Sequence, residues 1–133
     1  VGYWYSRRFE LFFRKLQMIL IAHRGNTNGK FESYENEPAY IDKAISEGYD
    51  VEVDVWMIED VLFLGHDNPQ YGVSQNWFNE RYEKLWIHCK NVEAMEWFNS
   101  IGSFNYFWHQ EDTVILTSMG VLWAYPGKQP IKG

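Results

Sequence analysis

Apolar and polar positions along the chain alternate between short strands and one-sided helices. Residues 19–22 (ILIA) form an apolar run that stops at His23-Arg24-Gly25. The polar loop NTNGKFESYENE follows. Pro38 then opens a stretch in which Ala39, Tyr40, Ile41, Ala44 and Ile45 recur at helical spacing. Proline suits a first turn, where its missing N–H is not needed, and Gly48 is placed to stop the helix. In YDVEVDVWMIED, Val51, Val53 and Val55 alternate with Glu52 and Asp54, the period of a strand. Residues 19–56 therefore read as strand, loop, helix, strand, which implies a right-handed crossover and a parallel sheet.

A tight turn is expected at Glu59-Asp60, then a strand over VLFLG that ends at His66-Asp67. NPQYG is turn chemistry. Residues 76–82 predict a short helix, KLWIHCK a strand, and residues 91–100 a helix with Asn91 as its N-cap. FNYFWH, TVILTS and VLWAY are three further strand candidates. There is no internal repeat and no low-complexity tract. The order predicts an α/β fold, of which a parallel barrel is one form. In such a barrel one strand face packs on helices and the other fills the interior. Glu52 and Asp54 would then share an enclosed space, where two unpaired carboxylates are costly. A divalent cation is the natural remedy.

Composition narrows the partners. The net charge is −6, with residues 1–17 carrying +3 and the remainder −9. An acidic body argues against nucleic acid and fits a hard cation. Cys89 is the single cysteine, so no intrachain disulfide forms, and a reducing, cytoplasmic compartment is expected. No apolar run of about 18 residues or more exists to span a membrane. Met18 stands just before ILIA, so residues 1–17 read as an extension to a domain over 18–133. YWYSRRFELFFRKL is basic and aromatic, and is expected as a helix or tail on the body, with membrane contact the alternative.

Polar groups collect at the predicted strand ends: His23-Arg24, Glu52-x-Asp54, His66-Asp67 and His88-Cys89-Lys90. Parallel α/β folds place active sites there. Two histidines, two carboxylates and cations suit metal-assisted phosphodiester chemistry. Taken singly each has a plainer reading: His23 as a structural histidine, Glu52 and Asp54 as a solvated strand face, His66-Asp67 as a turn start, Lys90 as a surface charge. The ordered set is what carries the chemistry.

That set, IAHRGN, then YENEPAYIDKAISEGYDVEVDV, then LGHD, resembles the glycerophosphodiester phosphodiesterase family over about residues 18–90. The resemblance implies a parallel barrel of the TIM type that uses a divalent metal (Mg, Ca or Mn) to cleave glycerophosphodiesters to glycerol 3-phosphate and an alcohol. It implies that His23 and His66 are the acid–base pair and that Glu52 and Asp54 are metal ligands. Arg24 and Lys90 become phosphate contacts, and Glu35 a secondary ligand or orienting group beside Asn36. Where the family carries a third acidic ligand two residues before the lysine, this chain has His88, which brings zinc into consideration. The segment after Asp54 is one residue shorter than the family pattern and lacks the turn glycine. NPQYGVSQNW is a very short insert after His-Asp.

A TIM barrel needs roughly 250 residues, and Met18 onward supplies 116. A partial barrel is therefore expected, with an open edge covered by residues 1–17 or by a second copy. Two alternatives stand beside the hydrolase: a truncated or degenerate relative that binds metal or phosphate without turnover, and a sphingomyelinase-D-like phospholipase. The long loop after His23 and the lack of a disulfide pair disfavour the latter. FWHQED, with His109, Glu111 and Asp112, reads as a polar loop rather than as a further metal cluster. Cys89 alternates with His88 and is expected to face the helices.

Overall fold

The computed structural model describes residues 2–3, 18–109 and 114–124. Two strands begin the sheet, β1 (Gly2–Tyr3) and β2 (Leu20–His23), followed by helix α1 (Pro38–Ser46). Strands β3 (Asp50–Ile58), β4 (Val61–Leu64) and β5 (Tyr71–Val73) come next. The remainder is α2 (Gln75–Asn79), β6 (Leu85–Cys89), α3 (Val92–Ile101), β7 (Asn105–Phe107), β8 (Val114–Leu116) and β9 (Leu122–Ala124). The expected helix within residues 1–17, Glu111 and Asp112 lie outside the described residues, apart from β1. No described helix is long and apolar enough to cross a membrane.

The expected barrel is not what forms. The main sheet is open and mixed, with β8 and β9 in a separate two-stranded sheet. Strands β2, β3, β6 and β7 are parallel neighbours in that order. The chain then departs from the repeating parallel unit. Ile58 leads straight into Val61 through Glu59 and Asp60, both at positive φ, the geometry of a two-residue hairpin. That turn makes β4 antiparallel to β3, and β5 continues antiparallel to β4. The nine residues of β3 serve two partners on one side, β2 along its first half and β4 along its second. No strand pair closes the sheet among the described residues. The edges are handled locally: Gly2–Tyr3 pairs with β2. Ser118 bonds to both the N–H and the carbonyl of Tyr106 on β7.

Period-two alternation gives the sheet two unlike faces. Ala22, Val51, Val53, Val55, Ile87 and Cys89 face the helices, as expected for Cys89, and are fully or almost fully buried. Against them stand Ile41 and Ala44 of α1 and a set of edge-on rings, Phe78, Phe98 and Phe104. The expected N-cap of α3 is present, Asn91 accepting from the Ala94 N–H, and Gly102 ends the helix at φ 76°. The opposite face carries Ile21, Asp50, Glu52, Asp54, Trp86, His88 and Phe107. Its lower, apolar half is covered by the β8–β9 hairpin, whose Ile115 and Trp123 pack on Ile21, Trp86 and Phe107. Its upper half is polar.

The hairpin is thus a structural lid on the sheet, fixed by one side of its two strands. Trp123→Ala is expected to cost about 3–5 kcal/mol. Leu116→Ala, on the hairpin's outer side at 65% exposure, should change stability by less than about 0.5 kcal/mol. Urea unfolding of both variants checks this; equal effects would mean the hairpin does not pack as described.

Candidate metal centre

The polar upper half is assembled by register. Pairing aligns His23 with Glu52 across β2 and β3, and Asp54 with His88 across β3 and β6. One face of three parallel strands therefore presents four functional side chains. His66 arrives from the end of β4. Gly65 directs it: its φ is +153°, and a Cβ there would collide with the Asn68 carbonyl oxygen. Its N–H donates to the Asp54 carbonyl at 3.1 Å, and its own carbonyl accepts from the Trp56 indole at 2.7 Å.

Asp54 is completely buried and is the centre of the network. Its Oδ2 accepts from the Asn36 amide at 2.9 Å, and its backbone N–H donates back to Asn36 Oδ1 at 2.9 Å. Arg24 Nε stands 3.0 Å from Oδ2 and His66 Nδ1 3.4 Å from it. His88 Nδ1 lies 2.9 Å from Oδ1. Arg24 and Asn36 both hold positive φ, and the Asn36 N–H donates to the Arg24 carbonyl at 3.0 Å. Such backbone costs on the order of 1–3 kcal/mol per residue and persists only where surrounding contacts fix it.

Arg24 is shared three ways. Besides Asp54, its Nη1 donates to Glu35 Oε2 at 3.3 Å, and its Nη2 is 3.2 Å from His66 Nε2. A guanidinium only donates, so Nε2 of His66 accepts and the hydrogen sits on Nδ1, facing Asp54. Glu35 also accepts from Asn26 at 3.1 Å, and Asn26 accepts from the Tyr40 hydroxyl at 3.0 Å. Glu35 therefore orients Arg24 and stands apart from the ligand cluster. The Lys90 N–H closes onto Val55 at 2.8 Å, which sets its half-buried side chain at the end of β6.

Glu52, Asp54 and His88 each offer one donor atom, and these atoms lie within 4.8 Å of one another. This buried group could hold a metal ion. Two observations test the fit. Glu52 is 6% exposed and its Oε2 is buried without a hydrogen-bond partner; His23 Nε2 is 3.2 Å away but not aligned to bond. His88 Nε2 meets the His109 carbonyl at 3.1 Å, and its ring stacks on Phe107 at 5.0 Å. Both partners of His88 are acceptors, so both bonds coexist only with a hydrogen on each ring nitrogen. A cation at Nδ1 would replace one of those protons and keep the Nε2 anchor, a common arrangement for metal-bound imidazole.

Comparison with protein-family models, curated proteins and solved structures gave no match. The chemistry of the centre rests on its own residues.

The two carboxyls are driven apart. Burial, then the Asp54 charge, pushes Glu52 well above the usual carboxylate range; Arg24 and Lys90 oppose this only in part. Burial also pushes Asp54 upward, but hydrogen bonds from His88 and Asn36, with the charges of His88 and Arg24, hold it well below that range. His23 is half exposed at its outer edge. Desolvation of the rest of its ring, then Arg24, lowers it to about 4. Without metal, Glu52 thus holds its proton to a higher pH than an ordinary carboxyl, Asp54 stays ionised to a lower one, and His23 is neutral at neutral pH. The residues that the sequence did not single out are Asn26, Tyr40, Phe107 and the His109 carbonyl. Asn26 follows His-Arg-Gly directly, but nothing in the sequence links it to a carboxylate nine positions on.

A carboxyl whose folded pKa exceeds its unfolded one weakens the fold as pH rises between the two values. In chelator, Glu52→Gln is therefore expected to melt above wild type at ~pH 8 and to match it near ~pH 4. Equal melting temperatures at the higher pH would show that Glu52 ionises without penalty.

Proposed function

We propose that this chain carries a metal-dependent phosphodiesterase centre acting on glycerophosphodiesters, releasing glycerol 3-phosphate and an alcohol. One observation carries the reading. Two histidines, His23 at the end of β2 and His66 in the bend after β4, flank the buried Glu52–Asp54–His88 group, each within about hydrogen-bond distance of one of its carboxylates. The choice of glycerophosphodiesters rests on the resemblance of the His-Arg-Gly, Glu-x-Asp and His-Asp motifs.

Glu52, Asp54 and His88 would hold a divalent cation, drawn from Mg, Ca, Mn or Zn. When bound, it supplies positive charge for the phosphate oxygens and for developing negative charge in the transition state. His23, neutral at pH 7, takes a proton from the attacking group, either water or a neighbouring hydroxyl of the substrate whose cyclic phosphate water then opens. His66 would give one to the leaving alcohol oxygen from Nε2, which first takes up a proton as Arg24 turns from it to the phosphate, while Asp54 holds the ring at Nδ1. Arg24 and Lys90 add fixed positive charge where the phosphate would lie. Asn36 keeps Asp54 ionised and aimed, and Glu35 keeps Arg24 in place.

A non-catalytic binder of metal or phosphate is the second reading. It draws on the Arg24 guanidinium, whose nitrogens already meet Glu35, Asp54 and His66. Release of glycerol 3-phosphate from glycerophosphocholine, with and without added metal, separates the two. His23→Ala and His66→Ala are each expected to lower turnover by about 10²–10⁴ while leaving metal-induced stabilisation in place. Full activity in His66→Ala would remove it from the acid–base pair. Metal binding with no hydrolysis in the wild type would favour the binder.

A further inference from the structure

We infer that His88 makes the centre selective for a borderline transition metal of the zinc class, against calcium and magnesium. The inference rests on the metal-centre reading above and concerns only which ion it takes.

Three features point this way. The first is the donor type. An imidazole nitrogen favours zinc and its neighbours, whereas calcium and magnesium are held by oxygen. The second is the number of available oxygens. Calcium takes about 6–8 oxygen ligands. Here Asp54 Oδ2 is committed to Asn36 and Arg24, and Glu35, which stands apart from the cluster, directs its Oε2 to Arg24 and Asn26. What remains is Asp54 Oδ1, the Glu52 carboxylate and His88 Nδ1, a small set that matches the three protein ligands of an open zinc site. The third is spacing and preorganisation. Tetrahedral zinc with ~2.0–2.1 Å bonds sets its ligand atoms roughly 3.3 Å apart. His88 Nδ1 lies 2.9 Å from Asp54 Oδ1 and 3.9 Å from Glu52 Oε1. The ring cannot easily turn away, since the His109 carbonyl holds Nε2 and Phe107 lies flat against it. The other oxygen of the same carboxyl, Glu52 Oε2, is buried and without a hydrogen bond, so the protein itself leaves this carboxylate for an ion to satisfy.

The test uses the whole chain, stripped with chelator and given one metal at a time. Thermal unfolding is followed with Zn²⁺, Co²⁺, Mg²⁺ and Ca²⁺, and the visible absorption of Co²⁺ reports nitrogen ligation in a low-coordinate site. Micromolar Zn²⁺ and Co²⁺ are expected to raise the melting temperature, and millimolar Mg²⁺ and Ca²⁺ to leave it unchanged. His88→Glu should weaken Co²⁺ binding by at least about tenfold and gain a Ca²⁺ response. His88→Gln adds no charge; it should melt cooperatively but lose the Zn²⁺ response. Equal responses of the wild type to calcium and zinc would overturn the inference, as would no response to any metal or a zinc response unchanged in both variants. Hydrolysis supported equally by all four ions would sink this inference and leave the phosphodiesterase reading standing. Zinc-selective binding without hydrolysis would do the reverse.

Discussion

A carboxylate at the centre of a sheet, out of reach of water, must be compensated or it takes up a proton. Asp54 is compensated from four elements at once. The β2 loop brings Arg24, the segment before α1 brings Asn36, the end of β4 brings His66, and β6 brings His88. Each of these contacts also fixes the element that supplies it. The positive φ angles of Arg24 and Asn36 are tolerated because both residues are held through Asp54 and through each other. Taking one partner away from a buried ion pair typically costs about 3–5 kcal/mol, so the network and the loop geometry stand or fall together.

The same face of the sheet shows how a small fold affords such a group. Below the polar cluster, Ile21, Trp86 and Phe107 lie under the Ile115 and Trp123 side of the hairpin. That apolar cover keeps water from the lower flank of Glu52 and Asp54. On the other face the valines of β3 lock onto α1 and α3, which fixes the strand that carries both acids. Low polarity raises both carboxyls, and the His88, Asn36 and Arg24 contacts to Asp54 alone are what separate their proton affinities. It also gives a cation something to gain by binding there.

Much of this was legible in the chain. Alternation around Val51–Val55, the cap at Asn91, the stop at Gly48 and the Glu59-Asp60 turn rest on local chemistry, and local chemistry is what a sequence displays. Three of the expected ligands, Glu52, Asp54 and His88, do meet in one cluster, because strand register alone brings them together. The barrel was a wrong expectation. It extrapolated one strand–helix–strand unit to the whole chain, whereas the two-residue turn at Glu59-Asp60 reverses the direction and the β8–β9 hairpin takes the face that a barrel would have filled. The short strand β5 was hidden inside what reads as a turn, Tyr71-Gly72. Glu35 could not be resolved from spacing, because whether it ligates or orients depends on which way its loop turns. The role of Asn26 depends on the same fold of that loop.

The central claim is that one buried carboxylate stays charged because the whole centre is built around it, while its neighbour two residues away holds its proton to a higher pH than an ordinary carboxyl. Carboxyl ¹³C chemical shifts of the metal-free protein, followed through a pH titration, test this directly. The Asp54 signal should remain that of an ionised group from about pH 7 down to about pH 3. Glu52 should take up its proton at a pH clearly above the ordinary carboxylate range. Two signals titrating together near the ordinary carboxylate value of about 4 would contradict the account, for they would mean that neither burial nor the Asn36, Arg24 and His88 contacts hold in solution.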